Sequence, residues 1–105
     1  MNELTTVIVP AYIQTPLSAH ITMACIANIT KYTNPDEYEL ILIHDIPTHA
    51  VRDDFKVLKI DKQIILKEYT NYSTKMNLAA KEAKGKYLAF IQNDCFVWEG
   101  WLDNL

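Results

Sequence analysis

Short apolar runs alternate with stretches of helical period along the chain. Continuous apolar runs at 6–10, 38–43 and 86–91 predict strands that are covered on both faces, and a proline closes the first of them. Shorter runs at 57–60 and 64–66 are weaker strand candidates. The spacing of these runs indicates a sheet whose strands are separated by other elements.

Two stretches between the strands have the period of helices. The first begins at the Thr-Pro pair 15–16, a cap followed by a proline at the first helical position, and it ends at 34–36. In the second, Ser73 is the predicted N-cap and Gly85 the predicted C-terminal stop. The apolar face of this second helix is made of Met76, Ala79, Ala80 and Ala83.

The order of elements predicts the fold class. A polar loop around 46–54 separates the second strand from the weak strands, and the tail at 98–105 has helical spacing. Alternating strands and helices predict parallel strands joined by right-handed crossovers, hence a three-layer α/β sandwich with a mainly parallel sheet. Ligands of such sheets bind beyond the carboxyl ends of the strands. The residues predicted at those ends are Tyr12, Gln14, His44, Asp45, Asn93 and Asp94.

Composition narrows the class of protein further. The chain has 105 residues, half of them hydrophobic, which suits one globular domain with a real core. Its net charge is −3 and its basic residues are scattered, which argues against nucleic acid as a partner. The first residues do not resemble a signal peptide, and no apolar stretch approaches the length of a membrane span. Cys25 and Cys95 lack metal-type spacing, so we expect two reduced thiols in a cytoplasmic protein.

Five segments match one known pattern in order and spacing. The first strand ends in Pro-Ala-Tyr at 10–12, and the second, at 39–45, closes on an acid. The second helix carries Asn77 and leads into a strand that continues without a gap into Phe-Ile-Gln-Asn-Asp at 90–94. A Glu-Gly-Trp-Leu segment follows at 99–102. Each segment is weak evidence alone, but together they are fairly specific.

Over residues 5–105 the chain resembles the inverting GT-A-fold glycosyltransferases of the large second family. The resemblance implies a GT-A (Rossmann-like) nucleotide-binding half, a nucleotide-sugar donor, hexosyl transfer to an acceptor, and Mg²⁺ or Mn²⁺ as cofactor. It assigns the metal to Asp94. The residues that it places at the nucleotide-sugar are Pro10, Ala11, Tyr12, His44, Asp45, Asn77, Gln92 and Asn93.

The chain departs from the family pattern at two positions. His44 stands where the family usually has an acid, with Asp45 one residue later, and Gln92 replaces the first acid of the Asp-x-Asp motif. The family's acceptor-binding half, which carries the general base, would follow residue 105. We therefore expect residues 1–105 to form a single donor-binding domain without the acceptor-binding half, inactive in transfer by itself and with no assigned catalytic residue.

Each site residue also has an ordinary structural interpretation. Asp94 is either a ligand of the cation or a cap for the following segment. Asp45 either accepts a hydrogen bond from the base or ribose, or caps a turn before Pro47. His44 either contacts the nucleotide or is a plain residue at a strand end. Tyr12 presents its ring to the base or belongs to the core.

Other residues are interpreted as structural. Lys75 and Lys81 are predicted to be solvated lysines on the helix surface rather than diphosphate ligands. Trp98 and Trp101 are predicted to cover the edge of the sheet, with stacking of one of them on a sugar ring as the alternative.

Two functions from different classes remain open. The first is a nucleotide-sugar-dependent glycosyltransferase or its donor-binding fragment, and the second is a non-catalytic α/β binding or assembly module derived from that fold. A flavodoxin-like or receiver-like domain is disfavoured, because the chain lacks an acidic cluster at the first strand end and a glycine-rich phosphate loop. We also expect self-association through apolar surface at the open carboxyl edge of the sheet, which the missing half would cover.

Overall fold

The computed structural model describes residues 3–45, 55 and 58–104. These residues form a parallel four-stranded sheet with the strand order β3-β2-β1-β4. The strands are β1 (Thr5–Ala11), β2 (Tyr38–Asp45), β3 (Lys62–Leu66) and β4 (Tyr87–Phe90). The helices are α1 (Pro16–Tyr32) and α2 (Tyr72–Glu82). The predicted mainly parallel α/β fold is confirmed.

The central strand β1 is buried along its whole length, as its apolar sequence requires. Val7 is paired with Leu40 of β2 on one side and with Ala89 of β4 on the other. All seven residues of β1 are buried, because both faces of the strand are covered and both of its edges are occupied.

Two clusters of apolar side chains lie on opposite faces of the sheet. Val7, Val9 and Leu42 pack with buried residues of α1, among them Ile26 and Ile29. On the other face, Ile8, Ile41 and Ile43 pack with Ala79 of α2. One helix therefore covers each face, and the three layers of the predicted sandwich are confirmed.

The first helix begins as its sequence predicts. The Thr15 side chain accepts a hydrogen bond from the Ser18 amide at 3.1 Å, and Pro16 occupies the first helical position. The Ser18 hydroxyl in turn accepts from the Thr15 amide at 3.0 Å, which completes a reciprocal cap. Neither helix of the described residues is long and apolar enough to cross a bilayer.

The second helix differs from prediction at both ends. Its N-cap is Asn71 rather than Ser73, since the Asn71 side chain accepts from the Thr74 amide at 2.9 Å. Its C-cap is Ala83 rather than a stop at Gly85. Gly85 is instead needed for space: a Cβ there would lie 2.5 Å from the backbone nitrogen of Thr6, so the chain can pass β1 only without a side chain.

Three further predictions are wrong or partly wrong within the described residues. Residues 58–60 form no strand. The strand β4 ends at Phe90, one residue before the predicted end of its run, and it is an edge strand with Tyr87, Leu88 and Phe90 exposed rather than a strand covered on both faces. The tail forms hydrogen-bonded turns rather than a helix, with the Trp101 amide donating to the Trp98 carbonyl at 3.1 Å. The predicted loop at 46–54 lies outside the described residues.

Candidate functional site

A cleft opens where β1 and β2 end and α2 begins, at the carboxyl edge of the sheet. Its volume is about 230 Å³. Its lining residues come from the end of β1, the segment before α2, the first turn of α2 and the loop after β4. They are Pro10, Ala11, Tyr12, Tyr69, Thr70, Tyr72, Lys75 and Asn93. The chain therefore brings separate strand ends together at one concave surface, as the fold class predicts.

A buried ion pair forms the floor of this cleft. The Lys75 ammonium donates to the Asp45 carboxylate at 3.0 Å and to the Ala11 carbonyl at 2.9 Å. The side chains of Lys75 and Asp45 are only 3% and 2% exposed. One side chain of α2 thus contacts the ends of both β1 and β2, away from bulk water.

Two tyrosines stand beside this lysine. The rings of Tyr12 and Tyr69 meet edge to face with their centroids 5.3 Å apart. The Lys75 ammonium lies 5.7 Å from the Tyr12 ring centroid and 5.9 Å from that of Tyr69. Both tyrosines are largely exposed, so their free ring surface faces the cleft and solvent.

Asp45 and His44 are both buried, although the sequence left their roles open. Asp45 accepts from the Thr70 amide at 3.2 Å in addition to Lys75, so both carboxylate oxygens are engaged. The His44 ring lies in the core, 2.7 Å from the Gln63 side-chain nitrogen and 5.7 Å from the Phe55 ring centroid. It does not line the cleft.

The loop after β4 runs along the other side of the cleft. Asn93 lines the cleft and donates from its amide to the Thr22 hydroxyl at 3.0 Å, which ties the loop to α1. The Gln92 side chain is exposed, while its carbonyl accepts from the Cys95 amide at 3.0 Å. The Asp94 side chain is exposed, as a ligand of an exchangeable cation must be.

The phenol of Tyr72, a residue of the cleft lining, is affected by charges on this loop. Burial raises the pKa of the Tyr72 phenol, and the negative charges that Cys95 and Asp94 can carry raise it further. The phenol therefore keeps its proton at neutral pH and can donate a hydrogen bond toward an oxygen ligand. Tyr72 and Asn93 both line the cleft, and Asp94 directly follows Asn93 in the chain.

Sequence comparison places the chain in a family. The model of glycosyl transferase family 2 matches residues 6–105, nearly the full length. The chain belongs to this family. None of the curated proteins matches the sequence.

Solved glycosyltransferases share the fold. The mannosyltransferase PcManGT from Pyrobaculum calidifontis, in complex with GDP-Man and Mn²⁺, superposes with a TM-score of 0.71 at 19% identity. TarS of S. aureus, residues 1–349, gives 0.68 at 21% identity, and its complex with UDP gives 0.60 at 19% identity. The alignments cover 91%, 96% and 96% of this chain, but only 29%, 30% and 30% of those chains. The chain thus spans about a third of the length of its structural neighbours.

The donor set at the loop suits one kind of cation. No group of three His, Cys, Asp or Glu side chains is placed to hold a metal in the part of the chain that the structure describes. Asp94 offers a single exposed carboxylate. Mg²⁺ keeps several waters and binds one or two carboxylates together with substrate phosphates. These residues therefore fit a cation held largely by a diphosphate, and they do not fit a tightly held structural metal.

Some of the predicted site residues lie at the cleft and others lie away from it. Pro10, Ala11, Tyr12 and Asn93 line the cleft, and Asp45 lies beneath it in contact with Lys75. Asn77 is exposed on α2 and does not line the cleft, and neither Gln92 nor His44 does.

Sequence reasoning missed three contributors to the cleft. Tyr69 and Tyr72 carried no recognised motif, and Lys75 was wrongly predicted to be solvated. The signal for Lys75 was its spacing: it precedes Ala79 by four residues and so shares the face that α2 buries. A lysine on such a face needs a buried anion, and Asp45 at the end of β2 provides it.

Proposed function

We propose that this chain is the donor-binding part of a nucleotide-sugar-dependent glycosyltransferase that transfers a hexosyl group to an acceptor. The observation that supports this proposal most directly is the cleft at the carboxyl ends of β1 and β2, together with the exposed carboxylate of Asp94 on the adjoining loop. In a member of glycosyl transferase family 2, this arrangement supports binding of a base and of a metal-bound diphosphate side by side.

The cleft suits the nucleoside portion of the donor. Its volume of about 230 Å³ is smaller than the ~300–1,000 Å³ of pockets that take a whole drug-sized ligand. The rings of Tyr12 and Tyr69 offer apolar surface for a base, and the backbone at Pro10 and Ala11 offers polar groups. Asp45 lies beneath the cleft with both carboxylate oxygens engaged, so it supports the cleft from below through Lys75 and the Thr70 amide.

Asp94 is proposed as the protein ligand of Mg²⁺ or Mn²⁺, with Gln92 and Asn93 as its neighbours at the donor. A bound divalent cation supplies positive charge that stabilises the leaving diphosphate. Tyr72 also lines the cleft, and its phenol can donate to a phosphate oxygen. The proposal is supported by PcManGT, a fold relative solved with GDP-Man and Mn²⁺.

Transfer also requires a base that deprotonates the acceptor hydroxyl. We assign no residue among 1–105 to that role and place it in an acceptor-binding half outside this domain. The 105-residue chain is therefore expected to bind donor without transferring sugar, because we place the base and the acceptor pocket in that other half.

Calorimetric titration of the chain with UDP and with GDP, each with and without Mn²⁺, tests this function. We expect weak binding of at least one nucleotide that strengthens when Mn²⁺ is present. Asp94→Asn should abolish the dependence on Mn²⁺ and leave the circular dichroism spectrum unchanged, because the carboxylate is exposed. Asp103→Asn, an exposed acid in the tail, is the matched control and should behave like the wild type.

The alternative function is a non-catalytic module that keeps the fold. It is favoured by two observations: His44 is a core residue, and Gln92 replaces an acid on an exposed loop. Absence of nucleotide binding with either Mn²⁺ or Mg²⁺ would establish this alternative over the donor site.

The two cysteines are free thiols in the structure. Free thiols are typical of reducing compartments, which supports the proposal of a cytoplasmic location. We also propose a homo-oligomer, because large apolar side chains are exposed along β4 and the loop after it.

A further inference from the structure

The buried position of Lys75 needs a reason beyond the stability of the fold. Taking a lysine and an aspartate out of water is costly, and the mutual attraction of a buried pair often only offsets that cost. An apolar side chain at position 75 would pack against the sheet as Ala79 does one turn later. The pair nevertheless lies directly under the cleft.

The contacts of Lys75 all lead to groups that shape the cleft. Its ammonium donates to the Ala11 carbonyl, which immediately precedes Tyr12, and to Asp45, whose other oxygen accepts from the Thr70 amide. Thr70 immediately follows Tyr69. Through three hydrogen bonds, two of which share the Asp45 carboxylate, the ammonium thus connects the backbone segments that carry both tyrosines.

We propose that Lys75 is a positioning residue of the donor site. It holds the β1 end and the segment before α2 at a fixed separation, and so sets the placement of the Tyr12 and Tyr69 rings against which the base of a nucleoside diphosphate lies. Its ammonium is 5.7 Å and 5.9 Å from the two ring centroids, close enough to stabilise both rings by cation–π attraction. This inference rests on the proposed function.

The ammonium suits this role better than an apolar group would. A methionine of similar length fills the same space but donates no hydrogen bond, so Ala11 and Asp45 would each lose a partner. The segments at 11–12 and 69–70 would then be free to move apart, and the base would have to order them on binding, at a cost in affinity.

The test measures UDP and GDP affinity in the presence of Mn²⁺ for the wild-type chain and three variants. Lys75→Met should weaken binding at least about tenfold, and Lys75→Arg should recover part of that loss because it restores the charge and the donors. Lys81→Met removes an exposed lysine from the last turn of the same helix and should leave affinity unchanged. Near-ultraviolet circular dichroism should change in Lys75→Met and not in Lys81→Met, since the tyrosine rings shift only in the first.

If the Lys75→Met variant folds and binds nucleotide as tightly as the wild type, the inference about Lys75 is wrong, but the proposed donor site is not contradicted. Failure of the wild type to bind either nucleotide would overturn the donor site itself, and the inference with it. The two failures are therefore distinguishable.

If Lys75→Met does not fold, the unpaired buried carboxylate is the physical cause. The double variant Lys75→Met with Asp45→Asn has no such charge, and its reference is Asp45→Asn alone. Weaker binding by the double variant than by its reference supports the positioning role of Lys75, and equal binding overturns it.

Discussion

Cys25 and Cys95 contact the same carbonyl but lie in opposite environments. The Cys25 thiol donates to the Gln92 carbonyl at 3.5 Å, and the Cys95 amide donates to that carbonyl at 3.0 Å. Cys25 is inaccessible in the core, whereas Cys95 is exposed. Burial, followed by the neighbouring Cys95 and Asp94, raises the pKa of the Cys25 thiol from 9.0 to about 11.

This difference predicts the reactivity of the two thiols. Iodoacetamide at about pH 8 should alkylate Cys95 in the folded chain and spare Cys25, because the thiolate is the nucleophile and Cys25 forms little of it. Mass spectrometry of peptides should show one modified cysteine in buffer and two in denaturant. Modification of Cys25 under native conditions would contradict its burial between α1 and the loop after β4.

The same pKa sets the sign of a pH effect on stability. The folded chain holds the Cys25 proton more tightly than the unfolded chain does, because its pKa is raised from 9.0 to about 11. The protonated Cys25 thiol therefore contributes fully to the free energy of unfolding below about pH 9, and this contribution is lost as the pH rises toward 11. In Cys25→Ala this alkaline decline in the free energy of unfolding should be smaller, although the cavity lowers overall stability.

Single residues of the site could be predicted only where they follow an apolar run. The Pro-Ala-Tyr end of β1 and the acid at the end of β2 were predicted in the right place, because a strand ends where its apolar pattern ends. The burial of Lys75 was not predicted, since it depends on a partner thirty positions away, Asp45, that becomes its neighbour only when β2 lies beside β1.

At the scale of elements, the two helix starts show what local sequence can and cannot determine. The start of α1 was predicted because Thr15 and Pro16 form an unambiguous signal. Before α2, the sequence offers several capping side chains in a row, and Ser73 was chosen wrongly. In the structure the cap is Asn71, whose side chain accepts from the Thr74 amide, while the amide of the preceding Thr70 donates to Asp45.

Two substitutions test whether Asn71 or Ser73 caps α2. Asn71→Ala should lower the free energy of unfolding by about 1 kcal/mol, because the Thr74 amide loses its acceptor. Ser73→Ala lies inside the helix and should be neutral or slightly stabilising, since alanine is the better helix former. Urea unfolding followed by circular dichroism measures both. A larger loss for Ser73→Ala would contradict the observed cap.

The two central strands were predicted correctly in position and burial, whereas the edge strand β4 was predicted in position but not in burial. The runs that became β1 and β2 have both faces covered, so their pattern was continuous and unambiguous. The outer strand β3 is only partly buried, and the apolar run predicted at 57–60 resembled it, although its described residues 58–60 form no strand. Apolar character alone does not tell an edge strand from an extended segment packed beside the sheet.

At the scale of the whole molecule, the β4 edge presents an apolar surface. Apart from Tyr87, four large side chains are exposed along β4 and the loop after it, between 43% and 68% each. They are Leu88, Phe90, Phe96 and Trp98. A groove of about 590 Å³ runs among these side chains. Edge strands with exposed apolar side chains favour pairing with another chain.

We expect a second copy of this chain to cover that edge at high concentration. Sedimentation velocity should show a mean mass that rises with concentration for the wild type and rises less for Trp98→Lys. Leu17→Lys changes an equally exposed apolar residue on α1 and serves as the control. A concentration-independent monomer would contradict self-association.

The position of β1 between two partners that come from distant parts of the chain has a further consequence. Its amides are bonded to β2 on one side and to β4 on the other, and no hairpin joins any of these strands. Opening β1 therefore requires that both neighbours separate, which amounts to global unfolding. Amide hydrogens of β1 should exchange with deuterium at the rate of whole-domain opening, while the edges of β3 and β4 exchange through local fluctuations.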